Sequence, residues 1–544
     1  MKILCAILIF LTASFADAAT YYLRADGEAA DKESASGCGA AGTAMSLTVH
    51  NAETFSAGDV IELCDDGGST YTGRLIPPSS GSEGSPITYQ AESGATIVVD
   101  ADGVTAEAFR IVNQSYITVT DLRFTGGTGA GVYAVSSGAD VSNIILDGIW
   151  SYSHGGPGIQ FNSSGSSYKI EDITISDSTI STNASAGISV TGIYRVEGVT
   201  IQRNTVNGNN TDQLGRQAIG IAMPVASLTL STGWTQDGGI DGDGDYYQSL
   251  ATTPLRVYQK QLTADQRELT AGSGDLADGE WEYKGGNLHI DIGEDPDGLE
   301  IVYLIDYYTD ITVEENLIYD QINHSSGWDG TCIFFDWGVR NATAKYNRCY
   351  DGQGGGIHVL SGETINIYGN LIYGNCTDEY SESAGIKLNI GANDVNIYNN
   401  TIYGNSCDGI KTATNVDTVV IKNNIIRSNG DYAINDSDDE AISLSEDYNN
   451  ISDHAVAARN NIAAGSNSFY DNPLFADEAN DVFWLQDSSP AKQTGTPIDL
   501  GLDGGKGLLS TSSWPDDVKT FQRSNPPSMG AYFFGGVSTG MGLN

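Results

Sequence analysis

The sequence predicts an all-β solenoid: a right-handed parallel β-helix with an inserted small antiparallel β-subdomain. Three observations predict it. Short β-branched runs bounded by Gly or Asn recur along the 544 residues, with no long amphipathic helical period. One Asn returns at a fixed place in those runs, and a Gly-aliphatic step follows it.

The Asn frame aligns ITVEENLIY (311–319) with ATAKYNRCY (342–350), INIYGNLIY (365–373), VNIYNNTIY (395–403) and VVIKNNIIR (419–427), and upstream with VTIQRNTVN (199–207). The shared residues are Asn204, Asn316, Asn347, Asn370, Asn400 and Asn424. The last four intervals, 31, 23, 30 and 24 residues, are each one turn of a solenoid. The second anchor reads GVY (131–133), GIQ (158–160), GIS (187–189), GIA (220–222), GIH (356–358), GIK (385–387), GIK (409–411) and AIN (433–435). A strand that alternates its side chains must present the same apolar set inward in every coil. Ile357, Ile386 and Ile410 should therefore stack about 4.8 Å apart, with the Asn residues bonded along an internal ladder.

At the N-terminus, Lys2, the apolar run from Ile3 to Phe15 and Ala16-Asp17-Ala18 read as a signal peptide over 1–18, which implies a secreted chain, extracellular or periplasmic. No later apolar run is long enough to span a bilayer, so membrane insertion is not expected. Residues 19–100 read as an N-terminal cap and first coils, 101–223 and 301–470 as β-helix, and 471–544 as closing coils and tail. The interval of 112 residues between Asn204 and Asn316 contains RVYQKQLTADQRELT and GEWEYKGGNLHIDIGEDPDG, which read as antiparallel strands; 224–300 is taken as the insert.

The Asn-ladder coils resemble the pectate-lyase-like right-handed parallel β-helix superfamily. The start, YYLRADG (21–27), SAGDVIELCDDGGSTYTGRL (56–75) and PITYQAESGATIVVD (86–100), is similar to its N-terminal caps. DNPLFADEANDVFWLQDSSPAKQTG (471–495) and GAYFFGG (530–536) are similar to its closing coils. The resemblance covers most of the mature chain and implies the fold and a secreted, carbohydrate-active type. That superfamily holds lyases, hydrolases, epimerases and adhesins. No stretch matches a complete catalytic signature, so no site is carried over.

Asp and Glu outnumber Lys and Arg by 70 to 26, a net charge of −44. Such a balance argues against nucleic acid, whose phosphates need a basic face, and against an anionic membrane. A polysaccharide, met by a monomer, is the expected partner. Against that acidic background the outward places of the second anchor form a local cationic stripe: Tyr133, Gln160 and Ser189, then His358, Lys387 and Lys411. Such a stripe suits a uronate carboxylate, and a lysine eased toward its neutral form by a like-charged neighbour can abstract the proton α to that carboxylate. The bland alternative is solvated lysines paired with Asp378, Glu379 or Glu382.

Tyr319, Tyr350, Tyr373 and Tyr403 form a second outward row, suited either to stacking on sugar faces or to stabilising the solenoid as an aromatic ladder. Asp329, Asp336 and Asp351 are the carboxylates a glycoside hydrolase would use, with Asp320 one coil from Asp351. Asp241, Asp243 and Asp245 in DGDGD have the alternate spacing of Ca²⁺ ligands, although Thr252 stands where an EF-hand loop would end. Six cysteines remain in the mature chain: Cys376 and Cys407 suit a disulfide between adjacent coils, Cys38 and Cys64 suit a staple in the cap, and Cys349 reads as an inward core thiol. The resulting expectation is a lyase cleaving an acidic, uronate-containing polysaccharide by β-elimination. A glycoside hydrolase and a non-catalytic glycan-binding surface protein stand as alternatives.

Overall fold

A computed structural model of the chain describes residues 18–164, 167–212, 217–222, the strands of the insert between 235 and 304, 308–322, 330–378, 383–413, 416–437, 443–498, 506–508, 520–522 and 527–532. Each coil passes through three short strands, for example Glu363–Tyr368, Leu371–Tyr373 and Ala384–Asn389. Stacking of the coils builds sheets of 13, 12 and 11 strands, here the first, second and third sheets. The winding is a right-handed parallel β-helix, the hand that parallel crossovers take.

The period-2 alternation sets the core. Ile365, Val395 and Val419 lie in register in the first sheet, and Ile357, Ile386, Ile410 and Ile434 in the third. All are almost wholly buried, and each such side chain contributes about 1.5–3 kcal/mol. The anchoring glycines have a steric cause: a Cβ on Gly385 would sit 2.7 Å from Ile402 Cγ2 of the second sheet.

The turn between the first and second sheets carries the Asn ladder. Asn204, Asn316, Asn347, Asn370, Asn400 and Asn424 are joined Nδ2 to Oδ1 at 3.0–3.1 Å, and Asn449 extends the series. Asn347 shows how each amide is satisfied. Its Oδ1 accepts from the backbone and side-chain nitrogens of Asn316, and its Nδ2 donates to Asn370 Oδ1 and Val313 O. Complete pairing makes a buried polar column tolerable. The residue before each Asn is left-handed: Arg203, Glu315, Tyr346, Gly369, Asn399, Asn423 and Tyr448 have φ of 53–68°. The ladder and parallel pairing hold this unfavourable conformation in place.

A second ladder, which the alignment passed over, lies five residues on, at the turn into the third sheet. Asn375, Asn405 and Asn429 are joined at 3.1 and 2.9 Å. Earlier in the chain Asn183 bonds Asn209 at 2.9 Å, and the backbone nitrogen of His154 donates to Asn183 Oδ1 at 3.2 Å. The recurring N-x₄-N spacing was its signal.

Four expectations are corrected. The frame at GIA (220–222) is two residues out, because Ile219 pairs with Ile188 and Ile333, which places Gly220 in the outward column. Cys349 points inward but is no free thiol: it is bonded to Cys332. The pairs Cys38–Cys64 and Cys376–Cys407 form as expected. Among its described residues, the segment after 471 adds no coil to the three sheets. It makes an antiparallel hairpin, Phe475–Asp477 with Val482–Leu485, and lies along the outside of the second sheet. There Ala531 N donates to Thr401 Oγ1 and Thr496 N to Asn423 Oδ1. Finally, the tyrosine row is not open along its length, as described below.

Between 235 and 304, strands form a seven-stranded, mostly antiparallel sheet outside the solenoid. At the other end, the short helix Leu47–His50, capped by Ser46, belongs to the N-terminal cap. His50 packs there in the interior against Phe55 and Tyr89. A cap of this kind protects a sheet edge from further pairing. Among the described residues no helix is long and apolar enough to cross a membrane.

Candidate functional site

The third sheet brings the cationic stripe together. Its outward column runs Arg110, Tyr133, Gln160, Ser189, Gly220, Phe334, His358, Lys387, Lys411, Asn435 and Asn460 in parallel register. His358, Lys387 and Lys411 thus stand on successive coils, spaced by the roughly 4.8 Å of neighbouring strands.

Phe334 was missed because Cys332 replaces the anchoring Gly in its coil, so only C-I-F at the place of G-I-x marked it. Its ring packs on His358 at 4.8 Å. His358 is therefore not a solvated outward residue: it is 9% exposed. Burial, and after it the charge of Lys387, holds the imidazole well below its usual pKa, so it is neutral at pH 7. Its Nε2 has no hydrogen-bond partner among the described residues.

On the other side of the lysines stand Asp408, Asn435 and Asn460. Asp408 is buried, with Oδ2 accepting from Asn435 Nδ2 at 2.8 Å and Oδ1 from Tyr432 N at 2.9 Å. Desolvation pushes its carboxyl upward, opposed by those hydrogen bonds and by the Lys411 charge. Asn460 Nδ2 donates to Asn435 Oδ1 at 3.0 Å. The column accordingly grades from an apolar, neutral end through two ammonium groups to an amide end. An arrangement of that kind can hold a carboxylate and exchange a proton with an adjacent carbon.

The tyrosines occupy the second sheet, a different face. Tyr319, Tyr350, Tyr373 and Tyr403 are in register, with rings 5.3 Å apart for Tyr319–Tyr350 and 5.1 Å for Tyr350–Tyr373. Arg348 extends over Tyr350 and Tyr373, and its Nε donates to Tyr373 Oη at 2.9 Å. The C-terminal hairpin covers the later members. Phe483 contacts both Tyr373 and Tyr403, and Tyr373 is only 3% exposed. That covering removes Tyr373 and most of Tyr403 from any sugar, leaving Tyr319 and Tyr350 half-buried.

Asp336 and Asp351 lie at opposite edges of the third sheet. Asp336 follows strand Ile333–Phe335, whereas Asp351 is an exposed turn residue after strand Arg348–Tyr350 of the second sheet, with φ 53°. Partial burial, then Asp320 and Asp481, raise the Asp351 carboxyl. Asp329, the calcium candidates Asp241, Asp243 and Asp245, and the counter-charges Glu379 and Glu382 lie outside the described residues. The described residues hold one group with metal-ligand spacing, Cys38, Cys64 and Glu92, and its two cysteines are joined in a disulfide.

The chain resembles pectate lyase Pel9A (11% identity, 95% of this chain and 96% of that one, TM-score 0.39). It also resembles the GH136 lacto-N-biosidase from Eubacterium ramulus (11%, 83% and 66%, TM-score 0.44) and an alginate lyase from Paenibacillus sp. str. FPU-7 (12%, 70% and 93%, TM-score 0.29). No curated protein sequence matches. A family profile described as "Right handed beta helix region" matches residues 82–223 and 301–473, more than half of the sequence. The chain belongs to the right-handed β-helix family.

Proposed function

We propose that this is an exported polysaccharide-active protein and, within that class, a lyase acting on a uronate-containing chain. The observation that carries the reading is the column Phe334–His358–Lys387–Lys411–Asn435 on the third sheet of a protein of net charge −44. Cations aligned over adjacent coils in an otherwise acidic molecule favour an anionic, extended ligand. In the proposed reaction one lysine holds the uronate carboxylate and the other, as the free amine, takes the α proton. The electron pair moves to form the C–C double bond, the glycosidic C–O bond breaks, and the departing oxygen takes up a proton. Neutral His358 and Phe334 exclude water from one side, which strengthens the charge interactions.

The test is incubation of the mature chain with pectate, alginate and other polyuronates, with and without a calcium chelator. The expected product is an unsaturated uronate, read by its ultraviolet absorbance. Reducing ends released from neutral glycans with no such absorbance would replace the lyase by a hydrolase. Binding without turnover of any glycan would make it a binding protein.

A further inference from the structure

A cleft of about 520 Å³ opens on the opposite side of the coil from the lysine column, at the turn between the first and second sheets of the N-terminal coils. Its ledge is the turn Glu92–Thr96, several residues long, whereas the next coils make the same turn with Asp121, with Gly148 and Ile149, and with Asp177 and Ser178. The longer turn overhangs a groove that crosses four coils. On its floor Arg123 and Trp150 are neighbours in the outward column of the second sheet, and the guanidinium lies 4.7 Å from the indole centre. Trp150 Nε1 donates to Ser181 Oγ at 3.2 Å, which fixes the ring, and Tyr152 flanks it at 4.9 Å. Among the described residues the Arg123 guanidinium packs on Trp150 with no hydrogen-bond or ion-pair partner, so its donors can serve a ligand. Exposed Asp121 and Asp177, with half-buried Glu92 and Thr179, supply acceptors around the rim.

We infer that this cleft is a second saccharide site and that it takes neutral glycan residues. A positioned aromatic ring with one guanidinium, surrounded by carboxylates, matches the many hydroxyls and apolar ring faces of a pyranose. Carboxylates accept from sugar hydroxyls, while a uronate would meet Glu92 and Asp121 against a single uncommitted cation, since Arg203 and Asp177 are paired with each other. A cation site is disfavoured because these three carboxylates do not converge within the reach of one ion. The site lies on a different face from Lys387 and Lys411 and stands or falls independently of the lyase reading.

The test is affinity electrophoresis of the mature chain in gels containing xylan, glucomannan, mixed-linkage β-glucan or galactan, with polygalacturonate and alginate as acidic controls. At least one neutral glycan should retard the wild type. Trp150→Ala and Arg123→Gln should weaken that retardation at least tenfold, Asp121→Asn should weaken it severalfold, and Lys387→Ala should leave it unchanged. Asp121 is exposed with φ 57°, a conformation Asn also adopts, so its variant guards against misfolding in the other two. Retardation by acidic glycans alone, by none of the gels, or to an equal extent in wild type and all three cleft variants overturns the inference.

Discussion

Two outward columns of this solenoid follow from the same periodicity and end in different surroundings. On the second sheet Tyr373 and Tyr403 lie beneath the C-terminal hairpin, with Phe475, Phe483 and Leu485 in one apolar cluster over them. On the third sheet Lys387 and Lys411 remain half-exposed beside buried His358 and Asp408. A column in a β-helix is thus a repeated opportunity. Whether it becomes packing or a site depends on what the rest of the chain lays over it.

The largest expected effect separates the two columns by stability. Tyr373→Ala should lose about 3–5 kcal/mol, the range for emptying an aromatic core position, read by urea unfolding. Lys387→Ala should leave the urea midpoint nearly unchanged. The converse holds for turnover: Lys387→Ala and Lys411→Ala should each lower kcat on the responsive polyuronate by about 100-fold or more, the scale of a positioned base. A Tyr373 variant that remains folded should retain most of its rate. Equal losses of rate in both columns would erase the distinction.

Asn347→Ala tests what holds both columns in register. It strands the groups of Asn316, Asn370 and Val313 and should cost about 2–3 kcal/mol, seen as a lower denaturation midpoint. Acid should act on the buried histidines more gradually. His154 accepts from Gly127 N at 3.0 Å and donates from Nε2 to Phe124 O at 3.1 Å, and burial lowers its pKa to about 4. Buried His50 and partly buried His454 are likewise lowered to about 4 by desolvation. Their folded pKa values lie below the unfolded value near 6.5, so their stabilisation is complete above that pH. It declines as pH falls from about 6.5 toward 4. A midpoint that stays flat from pH 7 to 4 would contradict their neutral burial. The smallest effect belongs to the open end of the aromatic row, where Tyr319→Ala should cost under about 1 kcal/mol.

The two anchors were legible because the solenoid obliges each coil to repeat its inward residues, so Ile357, Ile386 and Ile410 declare themselves by spacing. Legibility failed where the repeat was broken. Phe334 was missed because Cys332 stands at the Gly position, and the Ile219 frame slipped because its coil reads A-I-G. The cover over Tyr373 was invisible for another reason: it comes from residues more than 100 positions later, and nothing in a repeating coil marks what will fold back upon it.

By itself the sequence determined the coil, its inward columns, one Asn ladder and the Cys376–Cys407 pairing of adjacent coils, because each follows from a local repeat and its period. Only the tertiary structure decided that His358 is buried and neutral, that Cys349 meets Cys332, and that the tail covers one aromatic face. It alone also showed that an overhanging turn makes a cleft beside Trp150. Those outcomes depend on distances between coils and on chain segments remote in sequence, and periodicity along the chain carries no information about either.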